Sequence, residues 1–401
     1  MTPESTAAHP IAGILSIPGI PGVDRRIRVL IVDDSVVIRR MIARVLEEDA
    51  GIEVVGTAAN GVLALQKVDE LSPDILTLDI EMPEMDGLET LSRLHQRHPG
   101  IRVIMFSTLT ERGARATIDS LLRGASEYVT KPVNTGSAEE AIAHLREVLL
   151  PKLKQFFTPK AKTPPPIAAI PARAAIAPPT HSPTLTPSFS PTSSLILPAR
   201  PAARRTRPYR ILAIGVSTGG PTALGEVMPE IPADFPLPIV IVQHMPPLFT
   251  QVLAERLNGK CRIRVVEAGH GMPLEPGTAY IAPGNFHMRF ATRGTQTLIA
   301  LDQGPMENSC RPAVDVMLRS AAEIFQGDVL VAILTGMGRD GTLGAELVKN
   351  LGGSVIAQDH DSSVVWGMPG AVVEAGLADM VVSLKSMGQC LLRQVRQVAN
   401  A

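Results

Sequence analysis

The chain has 401 residues, which is enough for two or three domains that each bury their own core. Its net charge is −1 and only 3% of its residues are aromatic, so we expect neither a basic nucleic-acid surface nor base stacking. It contains no apolar run long enough to enter a membrane as a spanning helix. The three cysteines are odd in number and widely spaced, which favours a reducing compartment, the cytoplasm.

The N-terminal segment, residues 1–26, contains an apolar stretch that Pro18 interrupts. No basic region precedes this stretch, whereas a secretory signal peptide carries one. We therefore expect a disordered tail.

Residues 27–150 alternate β-like and helix-like segments. Five strands that alternate with helices predict a doubly wound parallel sheet of the flavodoxin-like kind. The predicted strands are 28–32, 52–57, 74–78, 102–106 and 127–130, with helices at 36–49, 61–71 and 138–150.

Polar residues follow the carboxyl ends of these strands, namely Asp33, Asp34, Asp79, Ser107 and Lys131. In an open parallel sheet the ligand site lies outside these ends. Converging carboxylates repel one another unless a cation joins them, and oxygen donors suit Mg²⁺. A lysine and a hydroxyl beside them are able to hold phosphoryl oxygens.

This segment resembles a response-regulator receiver domain. The resemblance rests on the Asp33-Asp34 pair, Asp79 with Met82-Pro83 and Asp86-Gly87 after it, Ser107, and Lys131-Pro132. It implies that a histidine kinase phosphorylates Asp79 and that Lys131 contacts the phosphoryl group. It also implies a Mg²⁺ site made by Asp33 or Asp34, Asp79 and the carbonyl of Glu81. Ser107 and Tyr128 are the implied switch pair.

Residues 151–208 are rich in proline, with alanine, serine and threonine between, and predict a semi-extended linker. From residue 209 the alternation resumes and predicts a second, Rossmann-like α/β sheet over 209–397. Its predicted strands are 211–214, 238–242, 263–266, 278–281, 329–334 and 354–357, with helices at 250–257, 313–325 and 343–351.

Ser217 stands in a tight turn after the first strand of this second unit, in Gly215-Val216-Ser217-Thr218-Gly219. The Gly-x-Ser-x-Gly pattern is typical of a nucleophile that a strand–turn–helix presents. A phosphate-binding turn and a plain tight turn are the alternatives. The glycine spacing and the absence of an acidic residue after the next strand exclude a dinucleotide fingerprint.

His244 and Asp340 follow two further strands, so we expect both to share a sheet edge with Ser217. Serine, histidine and aspartate are the parts of an acyl-transfer triad. Their order in the chain, Ser-His-Asp, disfavours a standard α/β-hydrolase. His244 taken alone could equally be a structural histidine. Other candidates for a place in the site are His270, His287, His360, Asp302, Asp315, Asp359 and Arg311.

Residues 209–397 resemble the catalytic domain of the chemotaxis protein-glutamate methylesterases. The resemblance rests on the 215–220 turn, Gln243-His244-Met245-Pro246, Ala282-Pro283-Gly284, Arg311-Pro312 with Val314-Asp315-Val316, Leu334–Gly338 with Asp340-Gly341, and Gly367-Met368-Pro369. Val216 departs from the family, which usually has a small residue there.

This second resemblance implies a Ser217 nucleophile, a His244 base and an Asp340 orienter, with oxyanion stabilisation by the Met337 N–H and Thr218. It implies hydrolysis of glutamyl γ-methyl esters on methyl-accepting chemoreceptors, deamidation of receptor glutamines, and no cofactor for the ester chemistry. We expect the unphosphorylated receiver to shield Ser217. The alternatives are a hydrolase of another protein ester or amide and a phosphorylation-dependent adaptor.

Overall fold

The computed structural model describes residues 26–132, 137–157 and 207–399. The predicted tail, apart from its last residue, and most of the predicted linker lie outside these residues. Within them, no helix is long and apolar enough to cross a membrane.

The first unit is a five-stranded parallel sheet in the order β2-β1-β3-β4-β5, flanked by helices. Its elements are β1 Ile27–Val32, α1 Val36–Glu47, β2 Ile52–Ala58, α2 Gly61–Leu71, β3 Ile75–Asp79, α3 Gly87–Arg97, β4 Arg102–Ser107, α4 Glu111–Leu121, β5 Glu127–Thr130 and α5 Ala138–Lys154. Ser35, Asn60 and Asp86 cap the first three helices with side-chain oxygens, which accept otherwise unpaired N–H groups.

The second unit is a seven-stranded parallel sheet in the order β14-β13-β12-β6-β7-β9-β8, with a separate antiparallel hairpin, β10-β11. Its elements are β6 Ile211–Val216, α6 Gly220–Val227, β7 Ile239–Gln243, α7 Phe249–Asn258, β8 Arg264–Glu267, β9 Thr278–Ile281, β10 His287–Arg293, β11 Gln296–Asp302, α8 Val314–Phe325, β12 Val329–Ile333, α9 Thr342–Asn350, β13 Ser354–Gln358, α10 Met368–Glu374, β14 Met380–Val382 and α11 Leu384–Ala399.

The predicted fold class, two doubly wound parallel-sheet units, is confirmed. The six strands predicted for the second unit all form; β9 has its predicted bounds, and the ends of the other five differ by one or two residues. The hairpin and β14 were not predicted. The helix α5 also runs to Lys154, beyond its predicted end at residue 150, and this extension brings its last turn to the second unit.

The two units pack directly against each other. The helix α4 lies against α6 and α7, and the apolar cluster beneath it continues from one unit into the other. The Tyr128 ring stacks on Phe249 with their centroids 4.8 Å apart. Arg256 of α7 donates to Asp119 of α4 at 2.8 Å. This interface places β5 and the end of α5 over the carboxyl edge of the larger sheet.

Candidate active site

Ser217, His244 and Asp340 follow β6, β7 and β12, which are neighbours at the centre of the larger sheet. Because parallel strands end at the same edge, the three residues come together there, as the sequence predicts. His244 Nε2 donates to Asp340 Oδ2 at 2.8 Å. In the described part of the chain no hydrogen bond joins Ser217 Oγ to His244, and Nδ1 is the ring nitrogen that Asp340 leaves available.

Two glycines allow the backbone to present Ser217. Gly219 has a φ of 76°, in the left-handed region that favours glycine, and it starts α6 directly after the serine turn. A Cβ on Gly336 would lie 2.7 Å from the Cβ of Ser217. The loop after β12 therefore passes close behind the serine only because residue 336 has no side chain.

The electrostatics of the His244–Asp340 pair favour its charged form. Burial lowers the pKa of His244, but the Asp340 carboxylate and Cys310 outweigh that effect and raise the pKa to about 9. Burial raises the pKa of Asp340, and the hydrogen bond from His244 more than offsets it, so the pKa is below its ordinary value. With Asp340 and Cys310 beside it, the imidazole is protonated at neutral pH.

A cavity of about 390 Å³ contains the serine and the histidine, and Thr218 and Met337 line it too. The hydrogen bonds of the described residues leave the Met337 N–H without an acceptor. The Thr218 hydroxyl is already engaged, because it donates to Glu127 Oε2 at 2.8 Å and lies 3.2 Å from Gln155 Oε1.

Glu127 and Gln155 belong to the smaller unit, so that unit closes one wall of the cavity. Glu127 is 8% exposed and also pairs with Lys152 at 3.2 Å. No local pattern in the sequence predicts this contact, since the two residues are 91 positions apart in the chain. A carboxylate from the receiver-like unit thus bonds the residue next to Ser217.

The other candidate residues have structural partners. Arg311 donates to Asn285 Oδ1 and to two backbone carbonyls, which is the structural alternative for this arginine. His287 is buried between the Pro305 carbonyl and the Ala313 N–H. Arg289 pairs with Asp302 at 2.6 Å, on the hairpin.

Of the remaining candidates, two have structural contacts and one lies beside Asp340. His270 accepts from the Leu301 N–H on the hairpin. Asp359 caps the loop that contains His360 by accepting from Ser362. Asp315, in contrast, shares a donor with Asp340, because the Asn308 amide bonds both carboxylates.

Three carboxylates meet at the edge of the smaller sheet. The ligand oxygens of Asp33, Asp34 and Asp79 all lie within 4.8 Å of one another. Lys131 Nζ lies 2.9 Å from Asp33 and 2.8 Å from Asp79. Burial raises the pKa of Asp79 to about 6, although Lys131 opposes this. A dense set of hard oxygen donors fits a divalent cation such as Mg²⁺.

The other predicted residues of this site lie around a cavity of about 240 Å³ that Asp79, Glu81, Ser107 and Lys131 line. Ser107 Oγ donates to the Gly113 carbonyl at 3.2 Å, so its hydroxyl faces the start of α4. Tyr128, the predicted switch partner, is not at this cavity. Its buried ring stacks on the larger unit instead, which connects the switch position to the interface.

The two units match two known families. Residues 29–143 match the response regulator receiver domain, and residues 212–391 match CheB methylesterase. The "Protein-glutamate methylesterase/protein-glutamine glutaminase" of Trichodesmium erythraeum (strain IMS101) is 47% identical over 92% of this chain and 99% of its own length. The chain belongs to the protein-glutamate methylesterase family.

Other members of the protein-glutamate methylesterase family align over the same extent. The relative from Nocardioides sp. (strain ATCC BAA-499 / JS614), of the same name, is 48% identical over 92% of this chain and 95% of its own length. A crystal structure of the Thermotoga maritima CheB methylesterase catalytic domain is 46% identical, covers 46% of this chain and 98% of that chain, and has a TM-score of 0.46. A methylesterase of this family is a carboxylic ester hydrolase under the control of a receiver domain.

Proposed function

We propose that Ser217, His244 and Asp340 form the catalytic triad with which this enzyme hydrolyses glutamyl γ-methyl esters of methyl-accepting chemoreceptors. The observation that carries the proposal is the His244–Asp340 hydrogen bond, at the edge of the sheet where Ser217 follows β6. A buried carboxylate bonded to one ring nitrogen fixes the tautomer in which the other nitrogen accepts a proton.

The reaction proceeds in two acyl transfers. Ser217 Oγ attacks the ester carbonyl carbon while His244 Nδ1 takes its proton. The tetrahedral intermediate collapses, the C–O bond to methoxide breaks, and His244 returns the proton so that methanol leaves. Water then adds to the acyl-enzyme, with His244 again as base, and releases the glutamate carboxylate and Ser217.

Two N–H groups at the cavity are the proposed oxyanion donors. The Met337 N–H has no acceptor among the described hydrogen bonds, and the Thr218 N–H lies directly after the nucleophile. Donors in fixed positions stabilise the charge that develops on the carbonyl oxygen. The same steps on a glutamine side chain release ammonia instead of methanol, which accounts for the deamidase part of the relatives' names.

The receiver restrains this site in the unphosphorylated protein. Its Glu127 and Gln155 bond Thr218, and its α4 covers α6 and α7. A substrate helix needs the same cavity mouth. Phosphorylation of Asp79 by a histidine kinase replaces its carboxylate with a phosphate group of about −1.5 to −2 charges at the end of β3. We infer that Ser107 and Tyr128 then rearrange and that the interface with Phe249 weakens.

Mg²⁺ fits the receiver site on the chemistry of its donors. Asp33 or Asp34, Asp79 and the carbonyl of Glu81 would hold it. When bound, the cation offsets the repulsion between carboxylates and phosphoryl oxygens. Lys131 already lies between Asp33 and Asp79, where its ammonium is able to bond a phosphoryl oxygen.

The assay is methanol release from methylated receptor fragments, with the wild type compared with Ser217→Ala. The cytoplasmic helices of the receptors are the proposed substrate, which places the enzyme in the cytoplasm. We expect Ser217→Ala to release no methanol while its unfolding temperature stays that of the wild type. Release at the wild-type rate by this variant would exclude Ser217 as nucleophile.

A further inference from the structure

The buried carboxylates of Asp340, in the triad, and Asp315, beside it, each bind the start of the other's helix. Asp340 stands just before α9, yet it accepts from the N–H groups of Val314 and Asp315, at 2.6 and 3.0 Å, at the start of α8. Asp315 lies in the first turn of α8 and accepts from the Gly344 N–H of α9 at 2.7 Å. Such anions at helix N-termini are favourable, and here the two caps lock α8 to α9.

Asn308 joins these two carboxylates with one side-chain amide. Its Nδ2 donates to Asp340 Oδ1 at 2.9 Å and to Asp315 Oδ2 at 3.0 Å. An amide NH₂ has two donors, so both are used. Asp340 therefore has its Oδ1 held by Asn308 and the Asp315 N–H, while its Oδ2 is held by Val314 and is left to face His244.

The turn that carries Asn308 is itself fixed in place. Glu307 and Cys310 exchange two backbone hydrogen bonds, at 3.1 and 2.9 Å. The Glu307 carboxylate forms a two-pronged pair with Arg319 of α8, at 2.6 and 2.5 Å. Asn308 has a φ of 53°, a conformation that asparagine tolerates better than most residues. The donor is thus held in position before any substrate arrives.

We propose that Asn308 is a positioning residue for the triad, with Asp315 as its anchor: Asn308 holds the Asp340 carboxylate so that Oδ2 receives the His244 proton. The proposal rests on the triad assigned above. Asn308 lines the cavity and bonds Asp340 directly, so its proposed effect on the ester runs through Asp340 and His244.

Burial raises the pKa of Asp315 to about 6, and the Asp340 charge adds to this, so two acidic groups in contact compete for the same donors. The other charged or titratable groups around them are His244, Glu307 and Arg319, with Cys310 in contact with His244.

The test measures kcat, KM and the pH profile of methanol release from methylated receptor fragments, with the full chain and a phosphodonor. Asn308 is exposed, so Asn308→Ala opens no core cavity. Loss of a hydrogen bond to a charged group should lower kcat at least about tenfold. With one donor fewer, Asp340 becomes a stronger acceptor and stabilises the imidazolium, so the acidic limb of the profile should move to higher pH. A merely structural loss would leave that limb in place.

The double variant Asn308→Asp/Asp315→Asn distinguishes the bond of Asn308 to Asp340 from its bond to Asp315. It keeps the net charge and a donor–acceptor pair between positions 308 and 315, but it turns a carboxylate towards Asp340. If Asn308 serves Asp340, the double variant should remain impaired. The matched control is Asn258→Ala, another exposed asparagine with one side-chain hydrogen bond, to the Val265 N–H at 2.9 Å, which should leave kcat unchanged.

A kcat loss of less than threefold in Asn308→Ala, an unmoved pH profile, or recovery of activity in the double variant overturns the proposal. Ser217→Ala in the same assay distinguishes failure of the positioning role from failure of the triad. If Ser217→Ala is inactive and Asn308→Ala behaves like the wild type, only the positioning role fails. If Ser217→Ala remains active, the triad itself fails.

Discussion

Removal of the Glu127 carboxylate should raise the activity of the unphosphorylated enzyme. Glu127 Oε2 accepts from the Thr218 hydroxyl at 2.8 Å, while its Oε1 pairs with Lys152 at 3.2 Å and accepts from the Tyr128 N–H at 3.0 Å. At 8% exposure the carboxylate is poorly screened by water. A hydrogen bond to a charged group contributes about 1.5–3 kcal/mol. The lower value corresponds to roughly tenfold in the ratio of open to closed molecules.

The measurement is the initial rate of methanol release without a phosphodonor. Glu127→Ala should be about tenfold faster than the wild type if most wild-type molecules are closed, and the phosphorylated rates of the two proteins should converge. Glu127→Gln keeps an acceptor for Thr218 without the charge and should be intermediate. Glu89→Ala is the matched control, because Glu89 pairs with Arg93 on the exposed side of α3. A basal rate in Glu127→Ala equal to that of the wild type would refute the role of this contact.

Three further predictions concern the triad and its surroundings. Gly336→Ala should lose most activity, because its Cβ would lie 2.7 Å from that of Ser217, and methanol release measures this loss. The pKa of His244 is raised to about 9, so the stability that its protonation contributes is complete below about pH 6.5 and is lost as pH rises through about 9. The free energy of unfolding, measured by denaturant titration at several pH values, should therefore fall across this window in the wild type and not in His244→Gln. Parallel curves for the two proteins would contradict the shift. Basal methanol release should rise over the same window, and Cys310→Ala should move that rise to lower pH, whereas an unmoved profile would exclude the contact with Cys310 as a cause.

The positions of the triad residues followed from the sequence because parallel strands impose them. Apolar runs of four to six residues identified β6, β7 and β12, and the polar residues after them had to share one edge. The same reasoning brought Asp33, Asp79 and Lys131 together in the receiver. These predictions depend on local pattern and on sheet topology alone.

Other parts of the site depend on contacts that no local pattern reports. Asn308 bonds the triad from a turn with positive φ, and its amide serves residues 7 and 32 positions away. Glu127 reaches Thr218 across the interface between the two units, and no local pattern relates two residues that are 91 positions apart in the chain. The hairpin β10-β11 was missed because it lies outside the layered α/β sheet, with β10 packed on α8.

We propose that phosphorylation of Asp79 opens an esterase site that the receiver covers. The decisive test compares the rate of methanol release from methylated receptor fragments before and after addition of a phosphodonor, in the wild type and in Asp79→Asn. We expect a large increase in the wild type and none in Asp79→Asn, with equal basal rates in both. An equal increase in both proteins, or a wild-type rate that the phosphodonor leaves unchanged, would contradict it.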